Sequence, residues 1–531
     1  MYVYCRETSC SYPLTRCEPS RDAGEVVSIN ILPDDVLLAI FDFYMDQAWA
    51  EAWQLLVHVC RRWRSVVFGS PCRLKLQLIC TSETPARDTL DVWPPLPLFI
   101  QCYVTYRTEI MDNIIAALER RDRVCQINLT GVRDWETVSA AMREPFLELT
   151  HLHLQSLDEM RMPLPDSFLG GSAPRLRHLW LNRVSFPGLP KLLLSATDLV
   201  DLHLRNISDS GYFLPEATVT ALAALTSLEE LWLEFQSPPS HFNWASRPSP
   251  PATRSVLPVL TSLTFKGASG YLDDLAARID APRVNSLVIA FFNPNFSDTP
   301  LFAQFISRTP ALNALDKTRI AFGDGTTTVN LSSQTSGYGE VDMEIPIRYL
   351  DWQLLSLRKV CTSCLPPLIM MECLYINENS YSQRISPHLE DILWPEILQA
   401  FNAVKNLYLS KEIAPHIVPS LQHLVGARTR ELLPNLQNIF LEELEPSGPV
   451  QEGIGKFAAA RQLSGCPIAV SLWEKDPEWG SDSEWRWDQS ESESESDSES
   501  ESESESESDS YSERDTWGSD SDSDSEVDAD D

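Results

Sequence analysis

Four short stretches decide how this chain folds: Leu149-Thr150-His151-Leu152-His153-Leu154, Leu176-Arg177-His178-Leu179-Trp180-Leu181, Leu199-Val200-Asp201-Leu202-His203-Leu204 and Leu228-Glu229-Glu230-Leu231-Trp232-Leu233. Each places apolar residues at the first, fourth and sixth positions. The same spacing occurs upstream at Val124/Ile127/Leu129 and downstream at Leu260/Leu263/Phe265 and Val284/Leu287/Ile289. It returns at Met371/Leu374/Ile376, Val404/Leu407/Leu409 and Leu436/Ile439/Leu441. Successive starts are 25, 27, 23, 29, 32, 24, 87, 33 and 32 residues apart. The interval of 87 residues predicts about two further degenerate repeats, one of them near Leu312.

Self-similarity at a fixed period marks a repeat architecture, and a period of about 20–29 residues with this core is the spacing of leucine-rich repeats. Alternation of apolar and polar residues gives each motif the period of a half-buried strand. Helical patterns lie between motifs, as in Ala217 to Leu228 and Leu272 to Ile279. Each unit therefore reads as strand, turn and helix. Neither half buries its apolar face alone, so stacked neighbours must supply the core. An ordinary α/β domain with leucine-rich strands shares these signals. The asparagine that often follows the motif is mostly missing.

If the two later leucines face the core, the residue between them faces the open side of the sheet. That position reads Asn128, His153, Trp180, His203, Trp232, Thr264 and Val288, then Tyr375, Tyr408 and Phe440. Seven of the ten are aromatic or histidine, against 9% aromatic residues in the whole chain. Large rings exposed on a rigid surface are the usual anchors of protein recognition. His153, Trp180, His203, Trp232, Tyr375, Tyr408 and Phe440 are therefore the candidate substrate-binding residues.

Composition divides the 531 residues into four zones: a polar, disordered N-terminus (1–28), a compact helical unit (29–70), the repeat region (71–475) and a disordered Ser/Glu/Asp-rich tail (476–531). The formal net charge is −34, but the last zone alone carries 24 acidic and two basic residues. Such a tail repels nucleic-acid phosphates and anionic membranes, so neither is expected as a partner. It cannot bury a core. From Ser490 to Ser506 each serine has an acidic residue three positions on, the context that acidophilic casein-type kinases prefer. No stretch approaches the roughly 20 apolar residues of a membrane span. The N-terminus lacks a basic start followed by an apolar run, so no signal peptide is expected. The 12 cysteines are then reduced thiols in cytosol or nucleus.

The helical unit opens with Leu32-Pro33-Asp34-Asp35. Proline suits a first helical turn, and the two carboxylates suit the positive end of the helix dipole. Val36, Leu37, Ile40, Phe41 and Tyr44 recur as one apolar face, with Leu38 and Phe43 outside it. A second helix is expected around Trp49 to Leu56. A third carries Val59, Cys60, Trp63, Val66 and Val67 on one side and Arg61, Arg62 and Arg64 on the other. About 40 residues bury too little surface to be stable alone. The extra apolar residues Leu38 and Phe43 point to an interface.

Leu32-Pro33-Asp34-Asp35-Val36-Leu37-Leu38-Ala39-Ile40-Phe41 followed by Val59-Cys60-Arg61-Arg62-Trp63 resembles the F-box motif, although it spans a short part of the chain. The resemblance implies three helices that dock on a Skp-type adaptor and, through it, on cullin and RING subunits. It places Leu32, Pro33, Ile40, Phe41, Val59, Cys60 and Trp63 at or just beneath that interface. The interval between Phe41 and Val59 is longer than the commonest pattern, with Trp49 and Trp53 in the middle helix, and is similar to a fungal variant. F-box proteins commonly carry leucine-rich repeats behind the motif. The expected fold is thus α/β: a three-helix F-box, an irregular leucine-rich-repeat-like solenoid and an acidic tail. The expected function is substrate recognition for a cullin–RING ubiquitin ligase, with no catalytic residue, cofactor or metal. The alternatives are an F-box-like scaffold acting outside a ligase, or an enzyme whose active-site residues are dispersed.

Several signals point nowhere specific. Cys361-Thr362-Ser363-Cys364 lacks the second pair that a zinc site needs. His151 and His153 share a strand face without a nearby carboxylate in sequence. Gly323 and Gly325 flank Asp324 in a turn, with no phosphate-loop pattern after it.

Overall fold

A computed structural model gives the fold. It describes residues 29–473, apart from 48–51, 104–110, 133, 158–162, 238–252, 293–298, 324, 334–338, 347–349, 379–386, 423–431 and 443–447. The expectations for the N-terminal zone, the acidic tail and Trp49 fall outside the described residues.

Three helices come first, α1 (Asp34–Gln47), α2 (Ala52–Val59) and α3 (Arg61–Gly69). The strands are β1 (Leu78–Cys80), β2 (Leu98–Tyr103), β3 (Val124–Thr130), β4 (His151–Gln155), β5 (His178–Asn182), β6 (Asp201–Ile207), β7 (Glu230–Phe235), β8 (Ser255–Val256) and β9 (Ser262–Gly267). They continue as β10 (Ile279–Asp280), β11 (Ser286–Phe291), β12 (Lys317–Phe322), β13 (Thr326–Ser332), β14 (Glu340–Pro346), β15 (Cys373–Glu378), β16 (Asn406–Leu409), β17 (Asn438–Leu441) and β18 (Ala469–Leu472). All but β8 and β10, which pair with each other, join one 16-stranded sheet. The fold is mixed α/β with a mostly parallel sheet.

From β1 to β11 each strand of this sheet is added beside the last in chain order. Parallel neighbours require a crossover, and most crossovers are helical. Several of those helices begin with proline, as in Pro215–Leu222, Pro300–Arg308 and Pro449–Leu463, where the missing N–H costs no intrahelical bond. Their apolar faces meet the inward leucines: Leu152, Leu154, Leu179, Leu181, Leu202, Leu231 and Leu233 are all buried. Successive helices are tied to each other by polar contacts as well. Asp273, buried in the helix Ser269–Arg278, accepts from the backbone N–H of Leu301 (2.9 Å) and Phe302 (3.0 Å), two orphan donors at the start of the next helix.

The interval of 87 residues holds something other than two plain repeats. β12 pairs parallel with the later strand β15, β13 runs antiparallel to it, and β14 returns parallel to β11. The three strands fill the sheet in reverse order. The β12–β13 turn contains Gly325 at φ +90°, a left-handed conformation that glycine adopts without steric cost. Leu312 lies in the short helix before β12 rather than in a strand.

Candidate functional site

Two surfaces carry the candidate residues. The first is the helical unit. Leu37 and Phe41 of α1, Trp53, Leu56 and Val57 of α2, and Val66 and Val67 of α3 form its core. The ring of Trp63 packs on Phe41 at 4.7 Å. Cys60 caps α3, its Sγ accepting from Trp63 N. Arg62 pairs with Asp34 at 2.7 Å and donates to the Leu32 carbonyl, which pins the entry of α1 to α3. Trp53 couples the unit to the sheet region: its Nε1 donates to the Gln77 carbonyl (3.1 Å), and its ring lies edge-on to Trp93 and Phe68.

This arrangement corrects the expected face of α1. Val36, Ile40 and Tyr44 are exposed, while Leu37 and Phe41 point inward and Leu38 is half-buried. The stripes 36/40 and 37/41 are adjacent and both apolar, so periodicity alone cannot say which one packs. Val36, Ile40 and Phe43, at i, i+4 and i+7, form a second apolar stripe, with Phe43 70% exposed. Val59 ends α2 and is exposed, and Cys60 precedes α3, so neither belongs to the face expected for α3. Of the expected interface set, Pro33, Ile40 and Val59 are exposed, Leu32, Cys60 and Trp63 are half-buried, and Phe41 lies beneath.

The second surface is the open face of the sheet. Register partners run without a break through Gln101, Asn128, His153, Trp180, His203, Trp232, Thr264 and Val288. They continue through Asp342, Asn330 and Arg319 to Tyr375, Tyr408 and Phe440. The seven candidate rings thus form two ladders, separated by the antiparallel insertion. Adjacent strands lie about 4.8 Å apart, close to ring-stacking distance. His153 stacks on Trp180 at 4.3 Å, His203 on Trp232 at 5.8 Å, Tyr375 on Tyr408 at 4.0 Å and Tyr408 on Phe440 at 4.5 Å.

Stacking explains a departure from the expectation of exposed rings. Trp232 and Tyr375 are buried, and the other five are half-buried. In the second ladder Trp473 packs against Tyr375 and Tyr408, so residues near the end of the repeat region cover part of that ladder. The first ladder has a polar frame. Asp201 meets His178 at 2.5 Å, and Glu230 meets His203 at 3.4 Å. Arg205 lies over the Trp232 ring at 4.6 Å and pairs with buried Glu234, which also holds Lys266 at 3.0 Å. Burial holds His151, His153 and His203 below the usual imidazole range, His153 at about 4.

Asp201 and Glu230 pair with His178 and His203 rather than with His151 or His153, and each comes from the strand next to that of its histidine. Alignment of the motifs finds them: both occupy the position two before the ring. Cys361 and Cys364 are buried in a π-helical turn, where Cys364 Sγ accepts from Thr299 Oγ1 at 3.0 Å and burial pushes the Cys361 thiol up. Among the described residues no group of three or more His, Cys, Asp or Glu is placed to hold a metal ion, and no helix is long and apolar enough to cross a membrane. No protein-family model matches the chain, and it has no statistically supported match among curated proteins.

Proposed function

We propose that the chain is the substrate-recognition subunit of a cullin–RING ubiquitin ligase. In this reading the helical unit is an F-box that docks on a Skp-type adaptor, and the sheet region is a leucine-rich-repeat-like solenoid that holds a protein target. The observation that carries the reading is the apolar stripe Val36, Ile40 and Phe43, left exposed on a helix whose opposite face is already packed. Full burial of each such side chain is worth about 1.5–3 kcal/mol, so the unit gains from a partner. The motif residues Leu32, Pro33, Cys60 and Trp63 frame the same small unit. The aromatic ladders supply a rigid second surface, and the first is the better candidate because Trp473 covers part of the second.

The mechanism is proximity. One end is held by the ligase and the other holds the target, so that a target lysine meets the transferred ubiquitin at high effective concentration. No side chain of this chain takes part in the chemistry, and the setting is the cytosol or nucleus. The test is a pull-down of purified Skp-type adaptor by the full chain, wild type and Ile40→Asp/Phe43→Asp. Capture by wild type and loss in a folded variant is the expected result. No capture by either leaves a repeat scaffold outside a ligase. Turnover of a substrate by the chain alone favours an enzyme.

A further inference from the structure

The 16-stranded sheet is closed at one end and open at the other. At its start the inner residues of β1, Leu78 and Cys80, are buried, and Trp53 ties Gln77, just before that strand, to the helical unit. At its end β18 pairs with β17, and among the described residues no strand lies on the other side of β18. Register places Val470 and Leu472 beside Ile439 and Leu441, which are buried. Val470 is nevertheless 38% exposed and Leu472 52%. The last repeat of a stacked array needs a polar outer face to stay soluble. This one turns out an apolar edge.

The main chain of β18 is only half used. Ala469 and Trp473 donate their N–H groups to the carbonyls of Gln437 (2.8 Å) and Leu441 (2.7 Å). Successive residues of a strand alternate in direction, so Val470 and Leu472 turn their N–H and C=O groups to the open side. Natural sheets guard such an edge with charge, proline or a bulge. Ala469-Val470-Ser471-Leu472 holds neither charge nor proline. The charge comes immediately after it instead: residues 476–531 carry 24 acidic and two basic side chains. Two copies meeting at this edge would bring two such segments together, which like charge opposes. A cation-rich chain meets the opposite field and is steered toward the edge. Once there, main-chain hydrogen bonds and alternate apolar side chains hold it, as in other cases of strand addition.

We propose that β18 takes up, as an added strand, an extended segment of a basic partner protein. The segment alternates apolar and polar residues and is flanked by a run of lysine or arginine. Its main chain bonds to that of Val470 and Leu472, and its apolar side chains cover those two residues. This goes beyond the substrate-receptor reading and needs neither the adaptor nor the aromatic ladders.

The test titrates the full chain into three labelled peptides and reads fluorescence anisotropy. The first joins four lysines to six alternating valines and threonines, the second replaces the lysines with glutamates, and the third keeps the lysines and replaces the rest with alternating glycines and serines. Each is measured against wild type, Val470→Pro and Leu472→Pro, at low and high salt. Proline at either position removes an outward N–H and leaves the bonds to β17, so thermal melts should match wild type. The inference expects the lysine–valine peptide to bind wild type, to bind both variants about tenfold more weakly, and to weaken as salt rises. Equal binding by wild type and a folded variant, equal binding of the glycine–serine peptide, binding of the glutamate peptide as tight as that of the lysine peptide, or no binding overturns it. So does a wild-type dimer in sedimentation that either variant abolishes, since the edge then belongs to a second copy. The glycine–serine comparison uses wild type alone and so decides even where a proline variant melts early.

Discussion

Replacing Trp53 with alanine isolates the helical unit from the rest of the molecule. Trp53 is fully buried, touches Phe68 and Trp93 edge-on and donates to the Gln77 carbonyl. Removing a buried tryptophan costs about 3–5 kcal/mol in lost packing and cavity. The stranded carbonyl adds about 1 kcal/mol, so the total is about 4–6 kcal/mol. A unit of about 40 residues has little stability of its own to absorb that loss. The sheet region keeps its own core, because its leucines pack on helices far from α2 in sequence. Hydrogen exchange of Trp53→Ala should therefore show α1–α3 losing protection at urea concentrations where β4–β7 remain protected, and Trp53→Phe should fall between. Loss of protection in all elements together, or unchanged protection of α1–α3, would refute the reasoning.

Three further outcomes follow from particular contacts. Asp273→Ala removes two charge-assisted hydrogen bonds to the start of the helix Pro300–Arg308 and should destabilise by about 2–4 kcal/mol in a denaturant titration. Asp273→Asn, which keeps an acceptor, should lose less. His153 has a folded pKa of about 4, below its unfolded value of about 6.5. The stability it supports is thus complete above pH 6.5 and falls as pH drops from there toward 4. That fall is about 3 kcal/mol from this residue, and His151 and His203 add to it in the same direction. Chemical denaturation between pH 7 and pH 4 reads the loss, which His153→Gln should make shallower. Trp180→Ala with Trp232→Ala should abolish target capture and leave adaptor capture intact, as read by paired pull-downs.

The period of the strands and the row of rings between the leucines were legible because parallel in-register strands repeat one local pattern. Burial of the inner leucines alone forces that alternation. The antiparallel insertion was not legible from the motif, although Asp324-Gly325 between two alternating runs is a hairpin signal in its own right. The strands β1, β2 and β18 lie outside the ten motifs and join the sheet through neighbours already in place. In α1 the choice between Val36/Ile40 and Leu37/Phe41 depends on where α2 and α3 lie, which no local pattern encodes. The exposure of the rings was overestimated for a related reason. A ring's surroundings are set by strands some 25 residues away, and stacking between register partners hides the faces. Asp201 and Glu230 enter the site by the same route.

The most direct test of the central claim is a calorimetric titration of purified Skp-type adaptor into the full chain, wild type and Ile40→Asp. The account predicts one-to-one binding by wild type and at least a hundredfold loss in Ile40→Asp, whose melting temperature stays near wild type because the side chain is outside the core. Binding that is unaffected by Ile40→Asp, or no heat of binding with the folded wild-type chain, would contradict it.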